Sequence, residues 1–256
     1  MNTPVRLGLG KVDSRTLQDA VLRHIPLREL RLDANPLPEL GKGVVVSVNP
    51  ALGVPLETLG FFAFHYAASN VAVAMARPIY ATLTVLMPPG STREDLELIA
   101  REFGSEAKKY GVEVVAGHTG VYKGLTVPIA VVTVLGRAVR SPSSPKPGDK
   151  VVVVGRVGEE TQWLLSLVGR LPGGEVAWRK LTPLPAALRL ISLKGVRIMH
   201  DVSEGGVIGA LLEISREYGV AVTLDSRKLE YAEGIEELGE EALLAPSYGC
   251  LVVVTS

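Results

Sequence analysis

The chain lacks several features that would settle its function at once. One cysteine, Cys250, in 256 residues allows no internal disulfide. The four histidines, His24, His65, His118 and His200, fall at no metal-ligand spacing with one another or with Cys250, which argues against a zinc site. Net charge is absent: 27 Lys and Arg balance 27 Asp and Glu, so there is neither a basic field for nucleic acid nor an acidic tail. Apolar runs such as Val151 to Val154 and Leu251 to Val254 are far too short to cross a bilayer. The N-terminus has no charged start followed by an apolar core, so with its lone cysteine the chain reads as cytoplasmic and without a membrane role.

What is present is Val, Leu, Ala and Gly in quantity, enough for one large or two medium domains with an ordinary core. The run Arg140-Ser141-Pro142-Ser143-Ser144-Pro145-Lys146-Pro147-Gly148-Asp149 marks a boundary, giving domains 1–140 and 150–256 with a linker at 141–149. In the first domain the pattern predicts a strand at 43–48, a helix at 57–75 and a strand at 79–86. A second helix follows, opened by a capping box of Ser91 and Glu94 and closed by Gly111, with Leu96, Ile99, Phe103, Ala107 and Tyr110 on one face. Strands at 112–116 and 127–135 are expected to flank a loop carrying Gly117, His118, Thr119 and Gly120. His65, in an aromatic helical run, reads as a satisfied core histidine. Tyr110-Gly111-Val112 and Tyr218-Gly219-Val220 each read as a helix end leading into a strand.

The richest stretch is His200-Asp201-Val202-Ser203-Glu204-Gly205-Gly206, between a strand at 196–199 and an amphipathic helix ending at Gly219. With Ser203 or Asp201 as the cap, free N–H groups and two glycines permitting close approach, it describes an anion site at a helix N-terminus. An ordinary strand-to-helix turn has the same residues.

Taken in order, several motifs resemble the superfamily of aminoimidazole ribonucleotide synthetase (PurM), HypE, selenophosphate synthetase and thiamine-monophosphate kinase. The similarity is greatest to its archaeal AIR synthase-related, HypE-like branch. It is carried by Gly10-Lys11-Val12 with a helix at 14–24, Ala72-Val73-Ala74-Met75-Ala76-Arg77-Pro78, Pro88-Pro89-Gly90, Val115-Ala116-Gly117-His118-Thr119, Lys146-Pro147-Gly148-Asp149 and the turn at His200 to Gly206. The resemblance implies an α/β (α+β) protein of PurM-like two-domain architecture. Its N-terminal α/β domain would form the sheet of a homodimer interface, and its C-terminal α+β domain is expected to be shortened at the end of the chain. It further implies ATP in a cleft near that interface, Mg²⁺ held by acidic side chains, and phosphoryl transfer or ATP-dependent activation by a kinase or synthetase.

The acids depart from the family pattern. An acidic pair near the start appears as Leu32-Asp33-Ala34-Asn35, Thr-Asp as Val48-Asn49, Asn-Asp as Ser69-Asn70, and a glycine as Met75. His118 stands where other branches carry Asp or Glu. An Asn carbonyl can coordinate Mg²⁺ but brings no charge, so affinity should fall. The expected nucleotide set is Asp33, Asn49, Asn70, Gly117, His118 and Thr119, with Asp33 the remaining metal-binding acid and His118 the candidate acid, base or phosphate ligand. Asp201, Ser203, Glu204, Gly205 and Gly206 would shape the substrate side. Each also admits a structural role: Asp33 as a turn cap, Asn49 and Asn70 as packing groups, His118 as a plain loop residue. Because the chain ends Val252-Val253-Val254-Thr255-Ser256, the terminal-cysteine chemistry of HypE is not expected. The alternative to an enzyme is a non-catalytic homodimer that binds a nucleotide, a small phosphate ligand or a protein.

Overall fold

The computed structural model describes residues 35–36, 41, 43–170 and 178–256, all within one compact unit spanning 32–256. The first sheet holds β1 (Asn35–Pro36), β2 (Val44–Ala51), β3 (Ala76–Met87), β4 (Glu113–Val121) and β5 (Ile129–Ala138), in the order β1-β2-β5-β3-β4. Only β3 and β4 run parallel. Two helices, α1 (Leu56–Val73) and α2 (Arg93–Tyr110), are joined to this sheet, α1 lying along β2, β5 and β3. Alternation assigns the covered face: Val45, Ala81, Val85, Ala130, Val132 and Val134 are buried, while Val48 and Tyr80 on the other face are exposed.

The second sheet is β6 (Lys150–Val154), β7 (Val196–Asp201) and β8 (Leu251–Thr255), ordered β6-β8-β7 with antiparallel pairs. Further helices are α3 (Glu159–Leu167), α4 (Leu184–Leu190) and α5 (Gly206–Tyr218). Val207, Ala210, Leu211 and Ile214 of α5 pack on Ile198, Val252 and Val254, and Gly219 ends the helix in the left-handed conformation. On the other face Val196, Met199, Leu251 and Val253 share a core with Leu184 and Ala187 of α4 and with α1.

Helix α1 is buried nearly all round because both sheets use it. Phe61 meets Trp178 at 5.2 Å, Phe62 meets Trp163 at 5.2 Å, and Tyr66 meets Tyr248 edge-on at 4.7 Å. Gly60 is required by closeness: a Cβ there would enter the backbone of α2 at Ile99. The proline-rich segment after β5 is tied down as well, since Arg140 donates from Nε to the Ile191 carbonyl at 2.8 Å and from its terminal nitrogen to that of Val196 at 2.7 Å.

Four local expectations need correction. The cap of α2 is one residue on: Ser91-Thr92-Arg93-Glu94-Asp95 contains two overlapping capping frames. Thr92 and Asp95 form the box, while Ser91 donates to the Pro88 carbonyl at 2.8 Å. Residues 117–120 are strand, not loop, because the parallel pairing of β4 with β3 continues to Val121. No strand follows Gly219, where Val220 is bonded back to Ser215 through its N–H and its carbonyl. The cap position of α5 is Gly205 rather than Ser203 or Asp201, and it carries no side-chain cap. Among the described residues no helix is long and apolar enough to cross a membrane.

Candidate functional site

One edge of α1, with Phe62, Tyr66, Ser69 and Asn70 at helical spacing, faces the second sheet, and the site is built where it meets three turns. Tyr248, just before β8, lies fully inside, its hydroxyl 3.1 Å from Ser69 Oγ. Its N–H donates to Glu160 Oε2 at 2.8 Å, which holds that carboxyl in the first turn of α3. The end of β7 adds Asp201, largely buried, and the turn after it Glu204.

This wall is acidic and its groups feel one another. Burial, and after it the charge of Glu204, pushes the Glu160 carboxyl above its ordinary value despite the Tyr248 N–H. Burial followed by Glu160 and Glu204 drives the Tyr66 phenol upward, and burial with Asp201 and Tyr66 does the same to Tyr248. Both phenols therefore remain hydrogen-bond donors, and Glu160 is the carboxyl most disposed to carry a proton. An anion set against this wall would be repelled, whereas a group that donates hydrogen bonds would be held.

Asp33 lies outside the described residues. Asn49 donates from Nδ2 to the Tyr66 carbonyl at 3.0 Å, so its amide is committed to α1. Asn70 lies one turn beyond Tyr66 on the same edge, half-buried. His118 is elsewhere: register pairs it with Thr84, Thr84 with Val131 and Val131 with Pro50, a row on the uncovered face. Asn49 stands in the adjacent row with Val132, Leu83 and Gly117, on the covered face three strand spacings, roughly 14 Å, from β4. Within one chain the structure thus gathers Asn49 and Asn70 near the junction and puts His118 on the opposite face. There its Nε2 lies 2.5 Å from the Tyr122 hydroxyl, in the open. Thr119 returns to the covered side at the edge of the sheet.

The glycines of the 200–206 turn serve the chain itself. Gly206 has φ of 60°, and a Cβ there would run into the Leu243 carbonyl and the Leu244 backbone. His200 turns from the junction to meet Glu213 of α5 at 2.7 Å. Cys250 donates to the Arg156 carbonyl at 3.0 Å, and burial pushes its thiol up to about 12, so it is no nucleophile at neutral pH. Among the described residues no three His, Cys, Asp or Glu side chains are grouped to hold a metal ion. A cavity of about 330 Å³ between Gly53, Leu56, Met87, Ser91, Asp95 and Val127 lies apart from the junction, and its Ser91 and Asp95 are used in local turns. Sequence reasoning passed over Tyr66, Glu160 and Tyr248. The available signals were the Gly155-to-Gly158 turn opening α3 and the Ser247-Tyr248-Gly249 entry to β8.

Two sheets sharing one buried helix define a PurM-like two-domain protein. Family models for the AIR synthase related protein N-terminal and C-terminal domains match residues 40–138 and 146–256, so the chain belongs to the AIR synthase related family. Carbamoyl dehydratase HypE of Azotobacter vinelandii is 29% identical over 214 residues, covering 78% of this chain and 62% of that protein. A putative hydrogenase expression/formation protein of Methanocaldococcus jannaschii is 22% identical over 249 residues, covering 90% and 74%. Among solved structures, thiamine-monophosphate kinase of Aquifex aeolicus complexed with AMPPCP and TMP superposes with a TM-score of 0.79 at 19% identity, over 94% of this chain and 84% of the other. HypE in complex with ATP gives 0.71 at 21% identity, over 97% and 79%. These likenesses establish the fold.

Proposed function

We propose that the chain is a cytoplasmic, homodimeric ATP-binding scaffold that serves phosphoryl transfer or ATP-dependent activation of a small substrate. The observation that carries this reading is the match of both family models, in order, to residues 40–138 and 146–256, with the acidic junction of α1 and the turn at 200–206 on the substrate side rather than against the nucleotide phosphates. Support for the ligand class comes from the relatives with this fold that were solved with ATP or AMPPCP. In this reading residues 1–140 form the nucleotide and dimerisation domain, 141–149 the linker and 150–256 the substrate domain. Asn49 and Asn70, with Asp33, face the nucleotide from the first domain. Asp201, Ser203 and Glu204 face the substrate, and the acidic wall favours a substrate group that donates hydrogen bonds. His118 reaches a nucleotide only at a dimer interface laid on the uncovered face, where Val48 and Tyr80 are exposed, while Gly117 and Thr119 would have to act from the covered side at the sheet edge.

Mg²⁺ asks for carboxylate oxygens in a tight octahedron. Positions 49 and 70 offer amides, one of them already bonded to α1, and the described residues group no three suitable ligands. The described donor set does not fit a tight Mg²⁺ cage. This favours, as the second reading, a non-catalytic member that binds a nucleotide, a small phosphate ligand or a protein; one relative of this fold was solved as a HypE–HypF complex. Calorimetric titration with ATP, with and without Mg²⁺, separates the two. Heat that requires Mg²⁺ supports the enzyme, metal-independent heat the remodelled site, and no heat in either titration removes the nucleotide from both. Asn70→Asp should strengthen Mg²⁺-dependent binding. Asn49→Asp is the poorer probe, because it also replaces the donor to Tyr66 by a second acceptor.

A further inference from the structure

A chain of polar groups crosses the interior between α2, α1 and the segment before α4. Lys109 Nζ lies 3.1 Å from Glu106 Oε2, and the same oxygen lies 3.0 Å from His65 Nε2. His65 Nδ1 lies 2.7 Å from Thr182 Oγ1, which also accepts the Leu184 N–H at 3.2 Å. His65 is wholly buried and Glu106 nearly so. Geometry assigns the hydrogens. The Glu106 carboxylate can only accept, so a neutral His65 carries its proton on Nε2 and donates it there, and Nδ1 accepts the Thr182 hydroxyl hydrogen while Thr182 accepts the Leu184 N–H. The 181–182 backbone also lies against Gly249, next to Tyr248, whose hydroxyl lies 3.1 Å from Ser69 Oγ of α1. The segment that carries Thr182 therefore packs beside the turn of the tyrosine that lines the candidate site.

The geometry points to a proton-operated latch: addition of one proton to His65 Nδ1 reverses the Thr182 hydroxyl and thereby resets how the 178–190 segment sits on α1. In the neutral state Thr182 donates to Nδ1. Once a solvent proton occupies Nδ1, that nitrogen becomes a donor, and Thr182 must accept from it and turn its own hydrogen away from His65, which shifts the segment that carries it. No other atom changes its bonding, and the charge gained stands between Glu106 and Lys109.

The groups facing His65 support this reading. From α2 these are Glu106, Lys109 and the Tyr110 ring at 5.6 Å, and from α1 the Phe61 and Phe64 rings at 4.1 and 5.2 Å. Beside them the 178–180 turn brings Arg179, whose charge is taken by Glu102 at 2.7 Å. Burial is the largest influence on His65 and outweighs Glu106, holding the imidazole below its ordinary 6.5, so the latch is closed at neutral pH. The Glu106 carboxyl is pushed up by burial, but the His65 and Lys109 hydrogen bonds outweigh that and keep it ionised.

The chain's two tryptophans, Trp163 and Trp178, both sit at this junction and report on it. Their fluorescence, followed in the full chain from about pH 8 to about pH 5, should show one reversible change below 6.5 while the far-ultraviolet circular dichroism stays constant. Glu106→Gln should move its midpoint to lower pH, and His65→Gln, whose amide can still donate to Glu106, should abolish it. A flat wild-type profile, or a transition that persists in His65→Gln, overturns the latch. Should His65→Gln fail to fold, ¹⁵N imidazole spectra of the wild type decide: His65 must be the Nε2–H tautomer at neutral pH and take its second proton over the same range as the fluorescence change. A His65 that stays neutral throughout that change sinks the proposal.

Discussion

At Met75 the backbone keeps what the side chain has lost. The family resemblance places a glycine here, and Met75 alone among the described non-glycine residues has a positive φ, 62°. A left-handed L-residue costs about 1–2 kcal/mol, while burying a Met side chain recovers about 1.5–3 kcal/mol, and Met75 is fully buried. The usual order of small residues should therefore invert. Met75→Ala keeps the strain and opens a cavity, a loss of about 2–5 kcal/mol; Met75→Gly opens the cavity but relieves the strain, and should be the more stable of the two by about 1 kcal/mol. Urea unfolding of both variants checks this, and an alanine variant at least as stable as the glycine one would refute it. Glu160 gives a prediction in pH. Its folded carboxyl lies above the ordinary 4.5, so at neutral pH its ionised form disfavours the fold, and stability from this group returns as pH falls through the folded value. Glu160→Gln, which can still accept the Tyr248 N–H, should raise the urea midpoint at neutral pH and lose that gain near pH 4.5.

Elements were legible where their punctuation is local. Helix α2 has its apolar stripe, its acids at the start and Gly111 at φ 67° at its end, all visible as pattern. Its cap was misjudged by one residue because two overlapping frames differ only in where Ser91 turns its hydroxyl, which the carbonyl of Pro88 decides. Strand β4 was missed beyond Ala116 because Gly117-His118-Thr119-Gly120 has little strand character of its own; pairing with β3 imposes it. In α5 two glycines three residues apart have opposite meanings. Gly206→Ala would drive a methyl group into the 243–244 backbone from a left-handed position and should cost about 3 kcal/mol. Gly209→Ala points into open space within the helix and should stabilise by about 0.5–1 kcal/mol. Thermal or urea unfolding of the pair tests both signs together.

For the whole molecule, the proposed homodimer would use the uncovered face of the first sheet. Val48 is 58% and Tyr80 43% exposed on that face, and Val115 at the bulge of the edge strand is 54% exposed, apolar residues of the kind an interface would cover. The proposed homodimer predicts that Val48→Lys with Tyr80→Glu converts a dimer to a monomer in analytical ultracentrifugation, with the circular dichroism unchanged. A monomeric wild type would dispose of the dimer, and with it the route by which His118 reaches a nucleotide.

The sequence by itself determined the class of fold, the two-part organisation and the family, because apolar period, helix stops and motif order are properties of the chain read in a line. It also carried the fate of His65, whose aromatic helical run could hardly place an imidazole anywhere but in the core. Only the tertiary structure decided which residues share a site. Strand register put Asn49 and His118 on opposite faces of one sheet, and α1, enclosed by both sheets, brought Tyr66 to Glu160 and Tyr248, some ninety and more residues distant along the chain. The physical reason is that side-chain direction in a sheet alternates with every residue, so one step of register reassigns a face, and no local pattern encodes the partner strand that sets that step.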